Sequence, residues 1–353
     1  MITILLIAIG VVMIFSSSSI YAWEKLGDST HFLKRHLAYL FIGLIATLAV
    51  MSFDYRILRR LAKPLLIIAF FLLLFLLLPG ISREIAGARR WYRIFGISFQ
   101  PSELAKLALI VYIADFIARR ESQITDFSRA FVPAMMVLGI FCLLVLAQPD
   151  LGSAVALLVI VFTMLCVAGM RLSHLGLVFL AAIPLLYVLI LSVPYRRARI
   201  AAFLNPWADP KGIGFQIIQS QVALGSGGWL GVGLGRSMQK LFYLPAAHTD
   251  FIFSIIGEEL GLLGAAAVII LFAAFIFQAT RIARAAVDTF GYFLCVGVIA
   301  LIAFEAIVNI GVSIGCLPTK GLPLPFVSYG GSSLVFDMIG VGLILNVSRF
   351  KEI

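Results

Sequence analysis

Long apolar stretches recur along almost the whole of this 353-residue chain, and they constrain its fold more than any other feature. The hydrocarbon core of a bilayer is about 30 Å thick, which a helix of roughly 20 apolar residues can cross. Because lipid offers no partner to backbone polar groups, only helices or closed barrels span it. With 62% hydrophobic residues, 12% charged residues and a mean hydropathy of +1.09, the chain is predicted to be an all-α polytopic membrane protein.

The apolar stretches predict a bundle of about ten transmembrane helices in one membrane domain that covers residues 1–353. One connection, from about residue 194 to 250, is far longer than the others, and a loop of that length in a compact bundle is usually functional. The predicted spans lie at about residues 1–23, 36–53, 61–79, 102–118, 130–147, 152–170, 174–193, 251–279, 289–314 and 331–348.

The basic residues orient the bundle only in part. Lys and Arg are nearly balanced between the two sets of alternate loops, so the positive-inside rule alone does not decide. Compact basic clusters at residues 56–63 and at Arg119 and Arg120 favour the cytoplasm for one set. On this basis we expect both chain ends in the cytoplasm and the long loop outside.

The net charge of +10 does not indicate a nucleic-acid partner, because the basic residues are scattered between apolar segments. Anionic lipid headgroups or a phosphorylated substrate fit that distribution better. The sequence also contains no P-loop, no dinucleotide-binding fingerprint and no His/Cys metal motif. We therefore do not expect nucleotide hydrolysis to drive this protein.

Asp250 ends the long loop, two residues after His248 and directly before apolar Phe251. One interpretation is a helix N-cap, since Asp readily accepts hydrogen bonds from the free amides of a first turn. The other is a general base at the bilayer surface that acts on a membrane-tethered substrate. The two roles are compatible, because a cap would also fix the side chain.

Polar residues also recur at helical spacing within the predicted spans. Ser254 and Glu258 follow Asp250 at intervals of four, and the next span carries Glu305, Asn309 and Ser313 at the same intervals. Ionisable groups at membrane depth are candidates for function, although hydrogen bonding between helices explains such a stripe equally well.

Glu103 and Lys106 stand three residues apart at the start of the fourth span, which places them on one helix face within reach of a salt bridge. They form either a structural pair or the charged lining of a cavity.

Several loop residues are candidates for binding phosphate. Arg89 lies among three arginines and two aromatic residues at 89–93, and Arg196 belongs to a second basic group in the long loop. Attraction to lipid headgroups is the alternative for these arginines. Lys320 lies in a rigid proline-rich turn, 317–325, which leads to Ser328 and a pair of glycines that would allow close approach to a ligand.

At these residues the chain resembles the SEDS family (shape, elongation, division and sporulation) over essentially its whole length. Gly257 and the turn 319–321 are similar to the division or sporulation branch rather than to the rod-elongation branch. One departure is Ala246, where the division branch usually has an acid. The motifs that carry the resemblance are GARRW (87–91), FQPSELAKLAL (99–109), QPDLGSA (148–154), FLNPWADPKGIGFQIIQS (203–220), LPAAHTDFIFSIIGEELG (244–261) and LPTKGLPLPFVSYGGSS (317–333).

The resemblance implies a multi-pass protein of the bacterial cytoplasmic membrane, at the division septum, that joins lipid II units into peptidoglycan. It assigns the family's essential aspartate to Asp250 and its ion pair to Glu103 and Lys106. It also implies a class B penicillin-binding protein as transpeptidase partner, packed near spans eight and nine, and contacts with other divisome proteins.

The chemistry of such a reaction needs a base for the attacking hydroxyl and cations for the leaving pyrophosphate. Asp250 is the candidate base, and Lys320, Lys106 and the loop arginines are candidate cations. A divalent ion such as Mg²⁺ or Mn²⁺ could serve as well, but the sequence gives no ligand set for it.

Two other functions stay open at this point. A lipid II flippase would use the intramembrane carboxylates Glu258, Glu305 and Asp337 equally well, although the chain lacks the paired broken helices in related halves that a transporter should have. The rod-elongation polymerase of the same family is the other alternative.

Overall fold

A computed structural model describes residues 1–78, 90–94, 97–171, 194–319 and 321–350, together with residues 173–174, 176–178, 180, 183–184 and 187. A π-helical turn, Phe127–Phe131, precedes α5, and β1 (Tyr92–Ile94) pairs with β2 (Ile97–Phe99) in a short antiparallel hairpin. The helices are α1 (Ile2–Leu26), α2 (His31–Ser52), α3 (Ile57–Phe75), α4 (Pro101–Arg119), α5 (Val132–Ala147), α6 (Leu151–Val167), α7 (Pro194–Leu204), α8 (Phe215–Ser226), α9 (Ile252–Arg284), α10 (Thr289–Ser313) and α11 (Ser332–Arg349).

Nine of the ten predicted spans coincide with helices in the described part of the chain, which confirms an all-α polytopic membrane protein. Six helical segments there are both long and apolar enough to cross a bilayer: α1, α2, the turn at 127–131 with α5, α9, α10 and α11. α6 is apolar but shorter, while α3 and α4 carry several charged residues each. The seventh predicted span, 174–193, lies mostly outside the described residues.

The charged residues of α4 are tolerated in this helix because they are paired. α4 is buried around most of its circumference, and Asp115 in its last turns is almost completely buried. Its carboxylate accepts a hydrogen bond from Arg59 Nε of α3 at 3.1 Å and a second from Arg119 one helical turn later. An unpaired carboxylate at this depth would be strongly destabilising.

The long loop is largely structured, which the sequence did not predict. It contains α7 and α8, and then a glycine-rich segment, residues 227–235, that lies along α9. α9 itself is broken at Gly261, where φ is 68° and ψ is −167°. At the break, the amides of residues 262–263 donate to the carbonyls of residues 228–229 at 2.8 and 3.2 Å.

The same segment satisfies the other side of the break. The amides of residues 232–233 donate to the carbonyls of residues 258–259 at 3.0 and 3.1 Å. A Cβ atom on Gly231 would lie 2.2 Å from the carbonyl oxygen of Glu259, so only glycine allows this approach. The sequence predicted an uninterrupted span at 251–279, and Gly261 is where that prediction differs from the structure.

The described chain divides into two compact units. The first comprises residues 1–38, 179–275 and 305–330, and it contains α1, the long loop, the start of α9 and the proline-rich turn. The second comprises residues 39–178, 276–304 and 331–353, and it contains α3 to α6 and α11. The single membrane domain expected from the sequence stays a prediction.

Two helical glycines give a direct test of how tightly α1 packs in the first unit. A Cβ on Gly10 of α1 would lie 2.6 Å from the carbonyl oxygen of Phe326, whereas a Cβ on Gly139 of α5 meets no atom within 4 Å. Alanine favours a helix over glycine by about 1 kcal/mol in both places. We expect Gly139→Ala to keep or raise the thermal unfolding temperature of the detergent-solubilised protein.

Gly10→Ala should instead lower that temperature, because overpacking against rigid backbone costs about 1 to 3 kcal/mol and exceeds the gain in helix propensity. Equal unfolding temperatures for the two variants would contradict the close contact of α1 with Phe326.

Candidate active site

Asp250 lies in a tight turn at the end of the long loop, and its amide donates to the Ala246 carbonyl at 3.1 Å. Because α9 begins at Ile252, the N-cap position falls on Phe251. The Phe251 carbonyl accepts the amide of Ser254 at 3.0 Å. The N-cap position that the sequence suggested for Asp250 therefore falls on Phe251, whose side chain cannot accept a hydrogen bond from the first turn of α9.

Three consecutive carbonyls hold the turn that carries Asp250. Within residues 248–250, the first carbonyl accepts the Tyr329 amide at 3.0 Å, the second the Ser328 hydroxyl at 2.6 Å and the third the Asn309 side-chain amide at 2.9 Å. The Ser328 oxygen also accepts the amide of Leu324 at 2.9 Å, and Ser328 is buried. Its hydroxyl thus joins two turns, whereas the substrate contact suggested by the sequence stays a prediction.

The proline-rich turn lies directly against Asp250. Arg199 of α7 donates from Nη1 to the Thr319 carbonyl at 2.9 Å. A Cβ atom added to Gly321 would lie 3.2 Å from Asp250 Oδ2. Lys320 itself lies outside the described residues, but the chain on both sides of it contacts the candidate base and this arginine.

Burial sets the electrostatics of the turn. Loss of solvent raises the pKa of the Asp250 carboxyl from 3.8 to about 6, although attraction to Arg199 and a hydrogen bond from Thr249 act in the opposite direction. Burial also lowers the pKa of His248 to about 4, and its ring centroid lies 4.5 Å from that of Phe32. Near neutral pH, Asp250 is therefore a carboxylate of raised basicity and His248 is an uncharged aromatic ring.

Glu103 and Lys106 form the ion pair that their spacing predicted. Lys106 Nζ lies 2.7 Å from Glu103 Oε2 on α4. The side chain of Glu103 is 5% exposed and that of Lys106 is 1% exposed. The pair belongs to the second unit. Its contact with substrate stays a prediction.

The arginines predicted to meet phosphate have different positions. Arg89 lies outside the described residues, and of Arg196 only the backbone, in α7, is described. The adjacent Arg90 donates from Nε to the Gln148 carbonyl at 3.2 Å, so it holds a neighbouring loop. Among the described arginines of these two groups, Arg199 is the one that the structure places beside the candidate base.

The carboxylate of Glu258, a candidate from the polar stripe, has a structural role. It accepts the Ser237 hydroxyl and, at 2.8 Å, the amide of Met238. Its neighbour Glu259 is buried and pairs with Lys240 Nζ at 2.8 Å. Both carboxylates of α9 thus hold residues 237–240 of the long loop in place, a function that the sequence did not predict.

Among the described residues, no group of three or more His, Cys, Asp or Glu side chains could hold a metal ion, and the divalent ion considered for the leaving pyrophosphate stays a prediction.

Two residues of the site were not among those selected from the sequence. Arg199 was one of several loop arginines, and nothing in its spacing distinguished it from Arg196. Asn309 was recognised as part of a polar stripe, but its partners lie 59 and 13 residues away along the chain. Only the fold brings them together.

The fold and the site define a polytopic membrane protein. Its candidate active site is a desolvated carboxylate at the end of a long, structured loop. The chain belongs to the family of cell cycle proteins named for FtsW, RodA and SpoVE, whose model matches residues 1–353. This confirms the resemblance to the SEDS family drawn from the motifs.

Curated relatives match the chain over nearly its full length. A probable peptidoglycan glycosyltransferase FtsW of Geobacter sp. (strain M18) is 46% identical over 348 residues, covering 99% of this chain and 95% of the relative. Stage V sporulation protein E of Bacillus subtilis (strain 168) is 45% identical over 351 residues, covering 99% and 96%.

Solved structures share the fold. A chain from a peptidoglycan synthase complex, solved in work on the coordination of polymerization and crosslinking, matches with a TM-score of 0.79 at 32% identity and covers 98% of this chain and 96% of that one. The rod shape determining protein RodA of Thermus thermophilus matches with a TM-score of 0.73 at 28% identity, covering 100% and 96%.

The buried pair in α4 gives a testable prediction. Replacing either Glu103 or Lys106 by Ala leaves a buried charge without its neighbour, which typically costs about 3 to 5 kcal/mol of unfolding free energy. We expect the double variant to lose less than the sum of the two single variants, in a cycle measured by unfolding in detergent. Additive losses would show that the two side chains are not coupled.

Proposed function

We propose that this chain is a peptidoglycan glycosyltransferase that polymerises lipid II at the outer face of the cytoplasmic membrane. The observation that carries the proposal is the Asp250 carboxylate, which has a raised pKa of about 6 and sits in a fixed turn beside Arg199. The names of the FtsW relatives support the same activity. Their identity of 46 to 48%, against 28% for RodA, favours the division or sporulation branch over rod elongation.

In this reaction Asp250 removes the proton from a sugar hydroxyl of the incoming lipid II. The hydroxyl oxygen then forms a bond to the anomeric carbon of the growing strand, while the bond from that carbon to the pyrophosphate oxygen breaks. A carboxylate with a pKa near 6 is ionised at neutral pH yet more basic than an ordinary aspartate, which suits a general base.

The leaving group is a polyprenyl pyrophosphate, and its developing negative charge needs fixed cations. Arg199 is a candidate for this role, since it lies next to Asp250 and its guanidinium group can bind phosphate oxygens bidentately. Lys320 is a second candidate, because the residues on both sides of it contact the site. Lys106, Arg89 and Arg196 remain proposals for substrate contact.

We also propose that the protein works with a class B penicillin-binding protein at the division septum, together with other divisome proteins. The structural similarity to a chain of a peptidoglycan synthase complex supports a transpeptidase partner. The relatives named FtsW support a role in division.

A lipid II flippase was the alternative from another functional class. It depended on intramembrane carboxylates, and one of these, Glu258, is committed to hydrogen bonds with the loop at 237–238. The structural role of Glu258 explains this buried carboxylate without any function in transport. The polymerase therefore explains the site better.

The first prediction of this proposal concerns Asp250. Asp250→Asn keeps the size and polarity of the side chain but removes the basic oxygen, so glycan polymer formed from lipid II with the partner present should fall by about 10²-fold or more. Asp28→Asn, which changes an exposed carboxylate between α1 and α2, is the matched control and should polymerise normally.

The pH profile provides a second readout of the same role. The base acts when it is ionised, so kcat/KM of the wild type should fall as the pH drops through about 6 and should level off above it. Near-normal polymer from folded Asp250→Asn would end the assignment of this residue as the base.

Lys320 separates polymerase from flippase. If its charge stabilises the leaving pyrophosphate, Lys320→Met should lower kcat more than it raises KM, because the interaction is strongest in the transition state. The assay measures polymer and lipid II movement across liposomes on the same preparations. Lipid II movement without any polymer, in wild type with its partner, would favour the flippase instead.

A further inference from the structure

Asn309 in α10 connects two parts of the candidate site through one side chain. Its amide nitrogen donates to the Asp250 carbonyl at 2.9 Å and to the Leu322 carbonyl at 2.8 Å. The side chain is 1% exposed, so water does not compete for these bonds. One amide group thus bridges the turn that carries the candidate base and the proline-rich turn.

The distance between those two turns matters for the carboxylate. Gly321, next to Leu322, is the residue whose Cβ would lie 3.2 Å from Asp250 Oδ2. A shift of either turn would therefore change the surroundings of the reactive oxygen directly. Asn309 bonds to both turns, and it does so from a helix, which is a more rigid support than a loop.

We infer that Asn309 is a positioning residue for the Asp250 base, which it holds against the proline-rich turn while making no contact with the reacting atoms. The inference rests on the proposed function, because it assigns Asn309 a part in that reaction. Misplacing a catalytic group by about 1 Å can cost about 10²-fold in rate. The loss of Asn309 should act through this misplacement.

The chain contains a matched control for the stability effect. Asn346 in α11 is also 1% exposed, and its side-chain nitrogen donates to the carbonyls of Val50 and Phe53 at 2.6 Å each. In both asparagines the side-chain oxygen has no hydrogen-bond partner among the described residues. The two amides therefore make equivalent bonds, but Asn346 holds the end of α2 and the residues after it rather than the turn of Asp250.

The experiment compares Asn309→Leu with Asn346→Leu, since leucine has a similar volume and no donor. Both variants should lower the unfolding temperature by similar amounts. Asn309→Leu should also lower kcat for polymer formation from lipid II by about 10²-fold, with KM changed by less than about threefold. Asn346→Leu should keep kcat within about twofold of wild type.

The pH profile adds a readout that a purely structural role would not change. Of the described groups, Arg199 lies beside Asp250, and His248, two residues earlier in the chain, has a pKa lowered to about 4 and is neutral near pH 6. Neither is altered by the substitution, while a loosened turn admits water to the carboxylate. The midpoint near pH 6 should therefore move toward the ordinary value of an aspartate in Asn309→Leu, and it should stay in place in Asn346→Leu.

If Asn309→Leu does not fold, the smaller pair Asn309→Thr and Asn346→Thr replaces it, because threonine keeps one donor. The same difference in kcat and midpoint, at smaller size, is then expected. Equal kcat and equal midpoints within either pair would overturn the positioning role, as would a rise in KM with unchanged kcat.

The Asp250→Asn variant separates failure of the proposed base from failure of the positioning role of Asn309. If it polymerises normally, the proposed base is wrong, whereas an inactive Asp250→Asn beside indistinguishable asparagine variants removes only the role of Asn309.

Discussion

The structure depends on one constraint, which is that lipid satisfies no backbone hydrogen bond. Continuous helices meet it along most of the chain. Where α9 breaks at Gly261, the glycine-rich segment 227–235 supplies the missing donors and acceptors from its own backbone. The long loop is therefore an integral part of α9 at the break, since four backbone hydrogen bonds join the two there. The carboxylates of Glu258 and Glu259 then fasten the next part of the same loop.

Exclusion from water also determines how the acidic side chains are paired. Asp115 lies between two arginines, Glu259 accepts from a lysine, and Glu103 has Lys106 on its own helix. Each of these carboxylates is buried and pairs with a cation, as expected where desolvation would otherwise make ionisation very costly. Lys106 and Lys240 are buried as well, whereas Arg59 and Arg119 are about half exposed. Such pairs explain how several helices of a membrane protein can carry buried acidic residues. An acidic residue inside a span is therefore a weaker sign of function here than its depth alone would indicate.

Much of the fold could be predicted from the sequence, because apolar length and helical spacing are local properties. The spans, the ion pair of Glu103 and Lys106, and the place of Asp250 at the loop end are all of this kind. The break at Gly261 could not be predicted, since one glycine in an apolar run does not specify an interruption of the helix. Asn309 was visible only as a polar residue at regular spacing, because its carbonyl partners come from two turns that the folded chain brings together.

The proposed base, Asp250, has to be both basic and fixed in position, and these two requirements usually conflict. Hydrogen bonds to a carboxylate fix it but stabilise its ionised form, which lowers its pKa. In this turn the three bonds from Tyr329, Ser328 and Asn309 go to backbone carbonyls rather than to the carboxylate of Asp250, which has a hydrogen bond from Thr249. Position is thereby set without any bond to the reactive oxygens from these donors. Desolvation can then raise the pKa to about 6 even with Arg199 nearby, so the fixed turn and the basic carboxylate are compatible.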